Sequence, residues 1–175
     1  MPPTASWWPA YVGLGSNLDD PPQQLARAFD ALARLPETRL VLRSPSYRTV
    51  PFGPVSQPHF LNAVAGLLTR LAPETLLQHL RAIEQAQGRA AVRERWGPRP
   101  IDLDLLVHGR ERRGDPALTL PHPGIPERNF VLYPLRDLAP DLDVPGLGTV
   151  RELAARVTAE GIERHVPAAG AMTTT

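Results

Sequence analysis

Apolar residues recur along the first part of the chain with two different periods. Residues 11–18 form an apolar, glycine-containing run that is typical of a strand ending in a turn. The apolar residues that follow are spaced four and three apart, which predicts a helix over roughly 21–35. Asp20 and Gln23 have the spacing of a capping box at the start of this helix, and Pro36 is expected to end it.

The same two periods predict four further elements before residue 106. Residues 38–47 and 60–69 read as strands, and residues 101–105 alternate strictly between apolar and acidic side chains. A second helix is expected to begin at Pro73 and to end at Gly88. The order strand, helix, strand, strand, helix, strand is that of a ferredoxin-like βαββαβ core, in which one face of the sheet carries the helices. The fold class expected is therefore α+β.

Shorter elements are predicted after this core. Residues 118–133 contain a short strand, and a helical turn is expected near 127–135. Thr149 and Glu152 have the spacing of a capping box, which predicts a last helix that ends at about Val157. The chain should therefore carry a C-terminal extension of a short strand and helices.

Length and composition fit one globular domain. At 175 residues, 42% hydrophobic and 21% charged, the chain is long enough for a substantial core. We expect a flexible segment over 1–10, a single domain over 11–166 and a disordered tail over 167–175. The absence of cysteine, of a long apolar run and of a basic-then-apolar leader favours a cytoplasmic protein.

Every one of the nineteen basic residues is arginine, and the chain contains no lysine. This excludes a P-loop, whose lysine contacts the nucleotide phosphates, and it excludes lysine base chemistry. A bound nucleotide would therefore be held by arginine, backbone N–H groups and metal. The net charge of +1 gives no global attraction for nucleic acid.

Two aspartates share the polar face of the strand over 101–105. Asp102 and Asp104 are two residues apart, or roughly 6.5 Å along one face, so their carboxylates can hold hard cations together. By themselves they fit a water-facing strand equally well. Four arginines lie close to them in the sequence and favour the metal site over the water-facing strand, because guanidinium groups suit phosphate oxygens. They are Arg89, Arg93, Arg95 and Arg99. The combination favours phosphoryl transfer.

These residues belong to a highly specific block, Gly88-Arg89 and then Arg95-Trp96-Gly97-Pro98-Arg99-x-Ile101-Asp102-Leu103-Asp104. The block resembles the signature of the 6-hydroxymethyl-7,8-dihydropterin pyrophosphokinase family, and the resemblance covers about 11–143. It implies transfer of pyrophosphate from ATP to the hydroxymethyl group of the pterin, with AMP as the other product, in tetrahydrofolate biosynthesis. It also implies ATP as co-substrate and two Mg²⁺ ions held by Asp102 and Asp104.

The resemblance implies three overlapping sets of site residues. The pterin would lie between two aromatic rings, with an amide on its edge, and the set is Thr49, Val50, Phe52, Phe60, Asn62 and Phe130. The nucleotide set is Glu84, Arg89, Trp96, Arg99, Ile101, His122 and Arg128. The catalytic set is Arg89, Arg99, His122 and Arg128. Closure of the loops at 48–58 and 88–98 would exclude water from the site.

Several of these residues have structural alternatives that the sequence leaves open. Phe60 could be a core residue, Trp96 a packing anchor and Glu84 a solvated helix carboxylate. An isolated histidine such as His122 is more often structural than catalytic. The pair Ser16-Asn17 resembles the first turn of the family and is expected only to scaffold the site.

The chain departs from the family pattern in the arginine loop. Where the family has a second arginine, Ala91 stands here, and Arg93 is a candidate substitute. Arg81 stands where many family members have glutamine.

Two rival functions remain, an RNA-binding module and an inactive structural subunit. The first needs exposed aromatic residues and a basic face, but only 6% of residues are aromatic and the sheet carries two aspartates. The second is disfavoured by the aspartates and arginines together. We expect small molecules as partners, no nucleic acid or membrane, and a monomer or weak homo-oligomer.

Overall fold

The computed structural model describes residues 6–51, 53–54, 56–88 and 97–166 of the chain. The fold is mixed α/β and is built around an antiparallel sheet. The larger strands of this sheet are β1 (Trp8–Ser16), β2 (Thr38–Arg43), β3 (Tyr47–Thr49), β4 (Phe60–Thr69) and β5 (Asp102–His108). Short strands follow, β6 (Arg113–Asp115), β7 (Leu118–Leu120), β8 (Asp143–Val144), β9 (Gly148–Thr149) and β10 (Ile162–Arg164). The helices are α1 (Pro21–Ala33), α2 (Pro73–Ala86), α3 (Asn129–Leu138) and α4 (Val150–Arg156), with a 3-10 turn at Ile125–Glu127.

Strand β1 is an interior strand of the main sheet. It pairs on one side with β4 and on the other with β5. Strands β2 and β3 both pair with β4, β2 near its C-terminal end and β3 near its N-terminal end. The last strand, β10, continues the sheet beyond β3. Every one of these pairings is antiparallel.

Helices cover both faces of this sheet. On one face, α1 and α2 contribute Leu32 and Leu80 to a cluster that also contains Val12 and Leu67. On the other face, α3 and α4 form a second cluster around Leu132. The two helices of the predicted core, α1 and α2, therefore lie on one face as expected, and the two later helices cover the other face. Periodicity identifies a helix and its apolar side, but it does not specify which face of the sheet that side meets.

The first strand begins at Trp8, three residues earlier than the hydrophobic pattern indicates. The strand predicted over 38–47 is divided into β2 and β3 by a Ser-Pro-Ser break. At the break, the backbone N–H of Ser44 donates to the carbonyl oxygen of Val64, and the Ser44 hydroxyl accepts from the Val64 N–H. This exchange keeps the interrupted segment attached to β4, because it satisfies the backbone groups that the break would otherwise leave unpaired.

The predicted capping box at Asp20 does not form. Asp20 is in the left-handed region with a φ of 65°, and its side chain makes no capping hydrogen bond. Two prolines occupy the first helical positions and already remove two N–H donors, so less is gained from a side-chain cap. The side-chain amide of Gln24 donates to the Asp19 carbonyl instead.

The predicted capping box of α4 does form. The Thr149 hydroxyl accepts from the backbone N–H of Glu152 at 3.2 Å, and the Glu152 carboxylate accepts from the Thr149 N–H at 3.3 Å. The helix ends at Arg156, one residue before the predicted end. In the described part of the chain, no helix is both long enough and apolar enough to cross a membrane.

Replacing Thr149 by Ala removes the acceptor at the start of a helix of only seven residues. We expect the free energy of unfolding to fall by about 1 kcal/mol. Thr158→Ala, a change of the same size at an exposed site in the loop after this helix, should change stability by less than about 0.5 kcal/mol. Urea unfolding of both variants measures the difference, and equal losses would show that the cap does not stabilise the helix.

Candidate active site

Three neighbouring strands place a row of site residues across one end of the sheet. In the register of the sheet, Gly15 of β1 lies opposite Asn62 of β4 and also opposite Asp102 of β5. A Cβ atom at Gly15 would lie 2.8 Å from the Asn62 side-chain oxygen and 3.9 Å from the Phe60 ring. The absence of a side chain at Gly15 therefore lets the Asn62 amide lie close to the backbone of β1.

Asn62 is held in place by a hydrogen bond within the sheet. Its side-chain N–H donates to the hydroxyl of Thr49 on β3 at 2.7 Å, and both residues are buried. This contact orients the amide, and its oxygen lies next to Gly15. An oriented amide presents a donor and an acceptor edge, which suits recognition of a flat heterocycle.

The two aspartates lie on the same face of β5 and are half-buried. Leu103 and Leu105 point to the first core cluster, as the alternation predicts. Asp102 accepts a hydrogen bond from the guanidinium of Arg99 at 3.0 Å, in an ion pair whose side chains are 16% and 22% exposed. The aspartates therefore do not form a plain water-facing strand surface.

The carboxylates fit a magnesium site that is completed by substrate. Among the described residues, no group of three or more His, Cys, Asp or Glu residues is placed to hold a metal. Two adjacent carboxylates are nevertheless the donor set that Mg²⁺ uses when phosphate oxygens and water supply the remaining ligands. The chemistry of Asp102 and Asp104 therefore fits the metal that the sequence implies.

Two arginine–phenylalanine pairs border the site. The Arg99 guanidinium carbon lies 5.7 Å from the centre of the Phe60 ring, and that of Arg128 lies 5.7 Å from the centre of the Phe130 ring. Cations at this distance are attracted to the ring face. Each pair thus joins a residue predicted for the phosphates to one predicted for the pterin. A Cβ at Gly124 would lie 2.6 Å from Arg128 Nε, so a side chain at this position would displace Arg128.

His122 lies near two charged site residues, Arg128 and Asp102. Its backbone N–H donates to the Leu106 carbonyl of β5, which fixes the loop beside the aspartates. Burial, and to a lesser extent the nearby Arg128, lower the pKa of His122 to about 4, whereas Asp102 opposes the shift. The imidazole is therefore neutral at neutral pH. Its Nδ1 accepts from the Gly124 N–H at 3.0 Å, so Nε2 carries the proton and is a donor.

Asn17 joins the two loops that flank the site, in keeping with the scaffolding role expected for the Ser16-Asn17 pair, although the sequence did not indicate its partners. The side chain is 3% exposed, and its N–H groups donate to the Gln57 side chain and to the Pro58 carbonyl. Its oxygen accepts from the Arg99 N–H at 2.8 Å. The only signal in the sequence was a Ser-Asn pair directly after a glycine turn.

The remaining predicted residues differ in their surroundings. Glu84 is 2% exposed, so the alternative of a solvated helix carboxylate is wrong. Ile101 is fully buried in the first core cluster, which leaves only its backbone available to a ligand. Val50 is 54% exposed at the end of β3. Several predicted residues lie outside the described part of the chain, namely Phe52, Arg89, Arg93, Arg95 and Trp96.

A mixed α/β fold that places carboxylates, arginines and a neutral histidine at one end of a sheet fits the class of phosphoryl-transferring enzymes. The family model of 7,8-dihydro-6-hydroxymethylpterin-pyrophosphokinase matches residues 11–140. The chain belongs to this family, which confirms the resemblance drawn from the arginine and aspartate block, and it is a pyrophosphokinase.

Curated relatives carry the same assignment over nearly their whole length. The 2-amino-4-hydroxy-6-hydroxymethyldihydropteridine pyrophosphokinase of Pseudomonas aeruginosa is 54% identical over 155 residues, which are 88% of this chain and 94% of the relative. The protein of the same name from Methylorubrum extorquens is 48% identical, over 89% of this chain and 97% of the relative. The one from Haemophilus influenzae is 44% identical, over 82% and 89%.

Solved structures with this fold include fusion proteins. A Plasmodium falciparum HPPK-DHPS A437G/K540E structure with pterin and p-hydroxybenzoate has a TM-score of 0.68 at 14% identity, over 94% of this chain and 48% of that one. An HPPK-DHPS complex with substrates has a TM-score of 0.64 at 13% identity, over 86% of this chain and 43% of that one. This chain therefore spans about half the length of those proteins, and the likeness concerns the fold.

The lowered pKa of His122 gives a prediction with a definite sign. Between about pH 4 and pH 6.5, the unfolded chain binds a proton at His122 that the folded chain does not bind. His122 should therefore make the protein less stable as pH falls through this window, and the effect should saturate near pH 4. NMR titration of the imidazole should show an apparent pKa near 4.

The control is His122→Gln, followed by urea unfolding at several pH values. The difference in stability between the original protein and the variant should change across the window and be constant above it. An imidazole that titrates near 6.5 would contradict the neutral state assigned here.

Proposed function

We propose that the protein transfers pyrophosphate from ATP to the hydroxymethyl group of 6-hydroxymethyl-7,8-dihydropterin, with Mg²⁺, as a step in tetrahydrofolate biosynthesis. The hydroxymethyl oxygen bonds to the β-phosphorus, the bond from this phosphorus to the oxygen bridging the α-phosphate breaks, and AMP leaves. The observation that carries this proposal is the shared face of β4, β1 and β5. It places Asn62, Gly15 and Asp102 side by side.

On the pterin side, the lack of a side chain at Gly15 would allow a flat ring to approach the backbone of β1 beside Asn62 and Phe60. Asn62 would bond the edge of the ring, with Thr49 holding the amide in orientation. Phe60 and Phe130 would stack on its faces. The proposed pterin set also includes Val50 and Phe52.

On the phosphate side, permanent cations would neutralise the triphosphate. Arg99 and Arg128 border the site directly, and Arg89 is the third member of the proposed set. Neutral His122 would donate its Nε2–H to a phosphate oxygen. The proposed nucleotide contacts further include Glu84, Trp96 and the backbone of Ile101.

Asp102 and Asp104 would hold the Mg²⁺ ions, with two ions as the proposed number. The metal would screen the phosphate charge and polarise the attacking hydroxyl. A histidine with a pKa of about 4 is too weak a base to remove the hydroxyl proton at neutral pH. The proton would therefore be lost late in a loose transition state, to water or to a phosphate oxygen of the substrate, and most of the catalysis would come from positioning and charge neutralisation.

The antiparallel order β5, β1, β4 and then β2 with β3 supports a ferredoxin-like βαββαβ core with a C-terminal extension. We propose this topology together with a single domain over 11–166, small-molecule partners, a monomeric or weakly associated state, and a cytoplasmic location. The decisive assay incubates the protein with ATP, Mg²⁺ and the hydroxymethyl-dihydropterin. Pterin-dependent release of AMP supports the reaction, and its absence rejects it.

Asp102→Asn and Asp104→Asn test the metal assignment. Each change keeps the shape of the side chain but removes a charge, and a neutral amide binds Mg²⁺ far more weakly than a carboxylate. We expect turnover to fall by orders of magnitude and to recover in part when Mg²⁺ is raised, while pterin binding alone changes little. Turnover across a Mg²⁺ titration, with a thermal melt of each variant, measures this.

Asp143→Asn is the matched control, because Asp143 is an exposed carboxylate on β8 outside the site. It should leave turnover and its Mg²⁺ dependence unchanged. Near-normal turnover for both site variants, with unchanged melts, would remove the metal role of these aspartates.

Gly15→Ala tests the pterin side. The new methyl group would meet the Asn62 oxygen at 2.8 Å, closer than real Cβ contacts, so it would displace the amide or block the approach of the ring. We expect pterin binding to weaken at least tenfold while ATP binding stays nearly intact, as measured by titration calorimetry with each substrate.

Gly13→Ala is the control on the same strand. Its new methyl group would meet Leu106 at 3.6 Å, an ordinary contact. If both glycine variants weaken pterin binding equally, the effect comes from the strand as a whole and the pterin site proposed beside Gly15 is misplaced.

A further inference from the structure

The C-terminal arm, defined here as residues 157–164, forms one wall of a cleft beside the proposed pterin residues. The cleft has a volume of about 320 Å³, and its other walls include Thr49, Val50 and Phe130. The arm contributes Val157, Thr158 and Gly161. The width of this cleft therefore depends on where the arm lies relative to the start of α3.

The arm is attached to the β3 side through the backbone. Ile162 lies opposite Thr49 in the pairing of β10 with β3, and the Val50 N–H donates to the Gly161 carbonyl at 2.9 Å. Gly161 has a φ of +72°, and a Cβ there would lie 3.2 Å from the Val50 side chain. The arm is thus held directly against the end of β3.

The Asn129 side chain hydrogen-bonds the backbone of the arm from the α3 side, where Val157 of the arm also packs against the second core cluster. The amide nitrogen of Asn129 donates to the Thr158 carbonyl at 2.9 Å and to the Glu160 carbonyl at 3.0 Å. Asn129 is the first residue of α3, between Arg128 and Phe130. Its two bonds go to carbonyls two residues apart in an exposed loop, so this amide connects the loop to the helix turn that carries two proposed substrate residues.

We propose that Asn129 is a positioning residue that sets the pterin side of the site. It would do so by fixing the arm, and through Gly161 the Thr49–Val50 end of β3, at a defined distance from Phe130. Since Thr49 in turn orients Asn62, the position of the arm would also affect the orientation of the amide that is proposed to bond the pterin edge. This inference rests on the proposed function, because it assigns the cleft to the pterin.

A positioning role and a merely structural role for Asn129 predict different effects on the two substrates. Arg99 and the two aspartates lie on the β5 side of the sheet, where no contact of Asn129 reaches in the described chain. Arg128, proposed for the phosphates, lines the same cleft, but it packs on the Phe130 ring. Loss of the Asn129 bonds should therefore act mainly on the KM for pterin and leave the KM for ATP nearly unchanged. A general loosening of the fold would raise both values and lower the melting temperature.

The test uses two variants of the full chain, Asn129→Ala and Asn129→Asp. Both remove the N–H donors, and a carboxylate also repels the two carbonyl oxygens. Aspartate is favourable in the first turn of a helix, so an effect in this variant does not arise from a weaker α3. We expect the KM for pterin to rise roughly three- to tenfold, with the KM for ATP and the melting temperature nearly unchanged.

Glu163→Gln is the control, because it removes an ion pair between the arm and β3 and leaves the Asn129 hydrogen bonds in place. The Arg48–Glu163 ion pair is exposed and spans 3.1 Å, so its loss should change neither KM. If the unmodified protein shows no pterin-dependent AMP release, the proposed function fails. If it turns over but the Asn129 variants keep the original KM for pterin, or raise both KM values equally, the role of Asn129 is overturned and the function stands.

Discussion

The register of the central strand is the constraint on which the site depends. Gly15 faces Asn62 on one side and Asp102 on the other only because β1 pairs with β4 and β5 in one particular alignment. A shift of one residue on either side would turn the amide or the carboxylate to the opposite face, into the core. The register is itself held by burial, since Val12, Leu14 and Leu103 occupy the face that α1 and α2 cover. Packing on the covered face of the sheet thus determines which polar side chains lie on the other face.

The same strands also explain how a polar site coexists with a second core on its own face. Between Tyr11 and Val12 the pairing with β5 shifts, so that Leu106 has no residue directly opposite it. Leu106 and Val107 then both join the second cluster, with Leu132 of α3. The face of β5 is therefore acidic at its beginning and apolar at its end. Helix α3 covers the apolar end, and its first turn brings Arg128 and Phe130 to the edge of the acidic end.

Much of this arrangement follows from local sequence, and the rest does not. The alternation of Asp102 and Asp104 with leucines, the strand over 60–69 and the Thr149 cap depend on neighbours in the chain, and each appears as predicted. The helices on both faces and the contacts of Asn17 and Asn129 depend on residues 29 to 82 positions away, which no local pattern contains. The failure at Asp20 is of a third kind, because the residue pattern was right but two prolines had already removed the need for a cap.

The site also distributes its charges in a way that the all-arginine composition makes possible. Arginine keeps its charge at every pH where the fold is stable, so Arg99 and Arg128 present a constant positive field to a phosphate. The titratable donor among the described site residues, His122, is kept neutral by burial and by Arg128 itself. A histidine at its ordinary pKa would gain and lose a charge near neutral pH and would change that field. Arg128, proposed for the phosphates, therefore also helps burial to keep its neighbour uncharged, and the polarity of the site should stay constant through the neutral range.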